Sequence, residues 1–146
     1  MFSKACEYGI RATIYIMQQT LNEKRIGLKD IAREIDSPMA FTAKILQQLV
    51  KHQLIDSVKG PTGGFEINHQ KKMDLNLRDI IGAIEGEQLL FNCVLGLKQC
   101  NPDHPCPLHD QYIKVRNPLN KLFETTTIIN LATELNTGQS HLKSNV

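Results

Sequence analysis

The 146-residue sequence has no apolar run long enough to span a bilayer, which excludes a membrane-spanning helix. Its first residues, Met1 to Glu7, lack the long greasy stretch and small-residue cleavage site of a secretory signal. The chain is therefore expected in the cytoplasm, with no membrane partner. An excess of one charge is also lacking. The net charge of +2 is by itself no signature of a polyanionic ligand. The glycine-rich stretch Gly60 to Gly64 has no Gly-Lys-Ser/Thr ending and no helix pattern after it, so it is not a nucleotide phosphate loop. No nucleophile–base pair and no paired carboxylates stand beside a pocket motif, and His52, His69, His104 and His141 are scattered. The sequence does not read as an enzyme, and it holds no internal repeat.

What is present is a chain with 41% hydrophobic residues, enough to bury one ordinary core with an added arm. Its charge is unevenly spread. Residues 1–72 carry eleven Lys/Arg against seven Asp/Glu, a net +4, whereas residues 73–146 carry six against eight, a net −2. Phosphate binding depends on where positive charge clusters, because local neutralisation releases counterions.

Apolar periodicity predicts the elements. Ile10, Ile14, Met17 and Leu21 step along one face of a first helix from Ser3 to Leu21. Leu28, Ile31, Ala32 and Ile35 form the stripe of a short second helix after Gly27. Asp36-Ser37-Pro38 breaks it, and a third helix from Pro38 to His52 turns Ile45, Leu46, Leu49 and Val50 inward. Two short helices around a tight turn make a helix-turn-helix unit. The strands Ile55–Val58 and Phe65–Ile67 follow, joined by Lys59-Gly60-Pro61-Thr62-Gly63-Gly64, which can only be a turn. A helical pair followed by a glycine-rich hairpin is the winged form of that unit.

The second half opens with Leu77, Ile80, Ile81 and Ile84 on a helix stopped by Gly86. Beyond a Cys- and Pro-rich loop, Leu108, Tyr112, Val115, Leu119 and Leu122 form a heptad-like seam suited to a partner helix. Pro118 should kink that helix or restart it with Asn117 as cap. A last helix after Thr127 buries Ile128, Leu131 and Leu135. The fold class is thus mainly α with a small β wing: a winged helix-turn-helix domain (1–72), a segment carrying the loop and a dimerisation helix (73–135), and a disordered tail (136–146).

In such a unit the third helix reads base edges and the wing reaches the backbone or minor groove. The candidate DNA-binding residues are Lys29, Pro38, Ala40, Phe41, Lys44, Lys59 and Gly60. Ala40 is small enough to meet a thymine methyl. Lys44 reaches a guanine edge or a phosphate, and Phe41 suits sugar or methyl packing.

Cys93, Cys100 and Cys106 are spaced Cys-x6-Cys-x5-Cys, with His109 three residues beyond the last. Pro102, Pro105 and Pro107 keep the stretch irregular, so its thiolates can bend around a common centre. Thiolates are the ligands that iron–sulfur clusters demand, and His109 can supply a fourth position. Zinc is chemically reasonable, although its usual Cys-x2–4-Cys pairs are absent. Metal-free thiols that oxidise to a disulfide are a third possibility. Cys6, on the first helix among apolar neighbours, reads as a buried structural thiol.

Together these stretches resemble the Rrf-two family of bacterial winged-helix regulators, over nearly the full chain to about Leu135. The resemblance rests on Tyr8-Gly9-Ile10-Arg11-Ala12, Lys29-Asp30-Ile31-Ala32, Met39 to Leu49, Val58 to Phe65, Ile80 to Gly86 and the cysteine trio. It implies a homodimeric DNA-binding repressor whose two reading helices meet successive major grooves of a near-palindromic operator in double-stranded DNA. It also implies a two-iron or four-iron cluster on Cys93, Cys100 and Cys106, sensing redox state, nitric oxide or iron–sulfur status. The cluster loop would lie near the first helix of the other subunit. Family members close the cluster either with a histidine at the position of His109, or with a carboxylate at the position of Glu7 from the opposite subunit. Two departures stand out: the first cysteine gap is one residue longer than usual, and Lys59 replaces a common wing arginine. The alternative is a metal-free thiol switch or a zinc-stabilised regulator or interaction domain.

Overall fold

In the computed structural model, which describes residues 1–143, the chain runs α1 (Lys4–Leu21), α2 (Leu28–Glu34), α3 (Met39–Lys51), β1 (Asp56–Val58), β2 (Gly64–Glu66), α4 (Leu77–Glu85), a one-turn 3-10 helix (Glu87–Leu90), α5 (His109–Thr125) and α6 (Ile128–Asn136). Among these, no helix is long and apolar enough to cross a membrane.

Each boundary has a local cause. Ser3 caps α1, its hydroxyl accepting from the Cys6 amide at 3.2 Å. Asn76 and Asp79 form a reciprocal capping box at the start of α4, and Gly86 with φ +87° ends that helix. Thr127 caps α6. Between α2 and α3, Asp36 takes φ +52° and the Ser37 hydroxyl pairs with Thr42 inside α3, so that Pro38 stands at the N-cap position.

The main core is one cluster in which Ile16 and Met17 of α1 meet Ile31 of α2 and its C-cap Ile35, Leu46 and Leu49 of α3, Ile80 of α4 and Ile128 of α6, all nearly solvent-free. Truncating any one of the large side chains to Ala costs ~2–5 kcal/mol. A smaller cluster of Cys6, Ile81, Leu90 and Phe123 docks α5 onto α1 and α4. At Gly9, α1 and α4 pack closely: a Cβ there would stand 2.1 Å from Ile84 Cδ1.

The wing is an antiparallel pair with Ser57 opposite Phe65. Ile26 adds a one-residue third strand, exchanging amide bonds with Phe65 at 3.1 and 2.8 Å. This bridge is what Gly64 serves. At φ +144°, a Cβ on it would strike the Ile26 carbonyl at 2.8 Å.

Two expectations are revised. Helix α5 runs unbroken through Pro118, without a restart at Asn117; the ring lies on the solvent side beside exposed Lys114 and Asn117, and only one helical bond is lost. The segment from residue 136 begins as the last residue of α6, and Leu142 packs on the main core because its apolar side chain finds a neighbouring surface there. Residues 144–146 of that expected tail lie outside the described residues.

Candidate nucleic-acid interface and cysteine loop

Helix α3 buries Thr42, Ile45, Leu46 and Leu49, which fixes what it offers outward. Ala40, Lys44, Gln47 and Lys51 are exposed on one line, with Pro38 and Met39 exposed at its start. No acidic residue lies on the helix. Gln48, one position beyond Gln47, turns inward, and its amide nitrogen donates to the Ala83 carbonyl of α4 at 2.9 Å.

Phe41 also makes a contact within the chain. Its ring is half-buried and stands edge-on to Tyr8 of α1, with centroids 5.8 Å apart and planes at 83°, while Arg11 covers the other ring at 4.8 Å. Helix α3 is thereby gripped by α1 at its start and by α4 near its end.

Lys29 is exposed on α2, near an Asp30–Arg33 ion pair of 2.6 Å. Lys59 and Gly60 are exposed just past β1, and Gly60 holds φ +107° in a turn closed by the Gly63 amide on the Gly60 carbonyl at 2.9 Å. A Cβ at Gly63 would lie 2.2 Å from the Val58 carbonyl, so the second glycine lets the hairpin reverse tightly. Gln47 is a further exposed residue of this line that the sequence reading did not single out. The signal was available, because Gln47 falls on the face opposite the apolar stripe of Ile45, Leu46 and Leu49.

The cysteine loop, residues 91–108, has no regular structure and is anchored to α5 at both ends. Asn120 donates to the Leu90 carbonyl at 2.9 Å and Arg116 to the Phe91 carbonyl at 3.2 Å. At the far end the His109 amide donates to the Cys106 carbonyl at 3.0 Å. Cys93 is buried, and backbone amides of Leu97 and Leu95, with Cys106 as a further hydrogen-bonding neighbour, hold its thiol below the ordinary range. Cys100 Sγ lies 3.4 Å from His109 Nδ1.

Cys106 is a neighbour of Cys93 and Cys100 meets His109, and among the described residues no three such groups converge on a single metal ion. The donor set still fits a polynuclear group, whose ligands sit on different metal atoms and are soft thiols in an irregular segment. It fits a mononuclear tetrahedral ion less well.

Cys6 is excluded from the set. It is buried in the second core, and burial, with Glu85 and Glu7 adding, pushes its thiol from 9.0 up to about 12. Glu7 is on the outer side of α1, paired with Lys4 at 2.8 Å, which holds its carboxyl below the ordinary range.

The sequence matches the Rrf2 family, described as iron-dependent transcriptional regulators, over residues 2–134. A curated protein of Aquifex aeolicus, assigned to the HTH-type transcriptional regulators, is 29% identical over 97% of this chain and 96% of its own. Among solved structures, CymR, the global cysteine regulator of B. subtilis, superposes with a TM-score of 0.74 at 22% identity, covering 91% of this chain and 96% of that one. IscR of T. potens superposes with a TM-score of 0.71 at 19% identity, covering 96% and 91%. The fold is shared with both.

Proposed function

This chain belongs to the Rrf2 family of winged-helix transcriptional regulators, not to an enzyme family, and on that premise we propose a homodimeric repressor that binds a near-palindromic operator and is gated by an iron–sulfur cluster. In this reading α3 enters the major groove with Ala40 and Lys44 foremost, while Pro38 and Lys29 border the site and Lys59 and Gly60 of the wing meet the backbone. Cys93, Cys100 and Cys106 would hold the cluster, with His109 or the partner's Glu7 as fourth ligand. A cluster bound there supplies a chemically labile group that oxidants or nitric oxide can attack.

The observation that carries the sensing half is three thiols on a single loop anchored at both ends to α5, with the His109 imidazole at the start of α5 beside Cys100. The family description, iron-dependent, agrees with it. Dimerisation is supported by α5 itself. Leu108, Val115 and Leu122 recur every seven residues and are 40%, 64% and 53% exposed, an apolar stripe that a second copy would cover. Phe91, Val94, Leu95 and Leu97 leave the loop similarly apolar on its outer side.

The chain's own contacts give a route from sensor to reader. A loop that packs against the partner's first helix would bear on α1, and α1 holds α3 through Tyr8 and Phe41. The other grip, Gln48 on Ala83, ties α3 to α4, whose C-terminal end leads into the loop. A change in loop packing would then shift the spacing of the two reading heads, a coupling worth ~1–3 kcal/mol.

Anaerobic reconstitution with iron and sulfide tests the cluster. A brown protein whose iron and sulfide are lost in Cys100→Ala supports it, and loss in His109→Ala or Glu7→Gln identifies the fourth ligand. A colourless protein instead favours a second reading, a metal-free thiol switch, for which the contact between Cys93 and Cys106 is the specific observation.

A further inference from the structure

We propose that Gln47 is a specificity-determining residue that reads an adenine, one base pair removed from the position met by Lys44. The inference rests on the operator-binding reading above and deepens it. Three observations carry it. Ala40, Lys44, Gln47 and Lys51 follow one another in steps of four, three and four along the exposed line of α3, directly away from Ile45, Leu46 and Leu49. Gln47 has no protein hydrogen-bond partner among the described residues, while the adjacent Gln48 is committed to the Ala83 carbonyl. The two consecutive glutamines thus have separate duties: one fixes the helix against α4 and the other faces outward.

The chemistry then selects the base. A carboxamide presents one acceptor and one donor side by side, and in the major groove only adenine offers the matching donor and acceptor on one base edge, at N6 and N7. Guanine presents two acceptors, which suit the donor-only ammonium of Lys44 instead. The methyl groups of Ala40 and Ala43 beside them favour thymine C5-methyl groups, and no carboxylate on α3 can accept from cytosine N4. Residues 44 and 47 are separated by about 4.5 Å of helix rise, close to the ~3.4 Å base step, so they meet neighbouring base pairs. Each half-site should therefore contain a guanine next to an A·T pair, with thymines adjacent.

The test is selection from a pool of randomised double-stranded DNA, using the full-length wild type, Gln47→Ala and Gln47→Glu. Each protein is used both after anaerobic reconstitution and metal-free, so that the form that binds is sampled either way. Gln47 is exposed, and thermal unfolding of both variants should match the wild type. The wild type should enrich a two-fold motif with a fixed A·T pair in each half-site. Gln47→Ala should make that position alone degenerate and weaken binding to the wild-type motif about tenfold or more per half-site. Gln47→Glu should move the preference there from adenine to cytosine, whose N4 a carboxylate can accept. A motif unchanged at every position in both variants overturns the assignment of Gln47 while leaving operator binding intact. A wild type that enriches no motif overturns both.

Discussion

Phe41, in the first turn of the proposed reading helix, stands edge-on to Tyr8 of α1, with ring centroids 5.8 Å apart and planes at 83°. Such a pair is worth ~0.5–1.5 kcal/mol beyond the area it buries. A double-mutant cycle of Tyr8→Ala and Phe41→Ala, followed by chemical denaturation, should return a coupling of that size. Tyr8→Ala should also lower operator affinity, although Tyr8 lies on α1 and not on the reading face. Additive stabilities and unchanged affinity would remove this contact from the link between α1 and α3.

The close approach of α1 and α4 makes a sharper prediction. A Cβ at Gly9 would fall 2.1 Å from Ile84 Cδ1, so Gly9→Ala should destabilise by ~1–3 kcal/mol through overpacking. Ile84→Val deletes the offending atom. The double variant should recover most of the lost melting temperature, and a failure to recover would place the strain elsewhere.

Lys59 is exposed at the wing, where the proposed contact is with phosphate or the minor groove rather than with a base in the major groove. Lys59→Ala should weaken binding to specific and unrelated duplexes alike, and reduce the slope of log affinity against log salt by about 1. Loss of affinity for only one sequence would assign Lys59 to base reading instead.

Alkaline stability should report on Cys6. Its folded-state thiol is raised from 9.0 to about 12, chiefly by burial, so the native state holds the proton more tightly than the unfolded chain. The stabilisation is complete below pH 9.0 and is lost as pH rises towards about 12. Tyr15, also raised by burial, adds a slope of the same sign. Denaturation midpoints measured from pH 8 upward should fall less steeply in Cys6→Ala than in wild type. Equal slopes would show that Cys6 keeps its ordinary acidity.

Much of this architecture was legible in the sequence because apolar periodicity is a direct record of which face is buried. Leu28, Ile31, Ala32 and Ile35 predict α2 and its inward side; Ile31 and Ile35 lie in the core, Leu28 packs against it and Ala32 is buried. The glycines of the wing were legible as a turn, but the Ile26–Phe65 bridge was not, since a single paired residue leaves no pattern. The packing contact of Phe41 was hidden for a related reason. Its partner Tyr8 is distant in sequence, and an aromatic ring near a helix start reads equally as a surface or a packing group. The cysteine loop has no period, so its spacing announced thiol chemistry without indicating that Cys100 meets His109. Gln47 and Gln48 are chemically identical and differ only by one step of helix rotation; the Ala83 carbonyl distinguishes them.

The central claim is that the loop bearing Cys93, Cys100 and Cys106 controls how tightly α3 and the wing hold DNA. Its most direct test is fluorescence anisotropy with the selected operator under strictly anaerobic conditions, comparing one protein preparation before and after removal of iron and sulfide. The two forms should differ in affinity by at least about fivefold, and Cys100→Ala should behave as the depleted form whatever the treatment. Equal affinities for a protein that carries full iron and sulfide in one state and none in the other would contradict the claim.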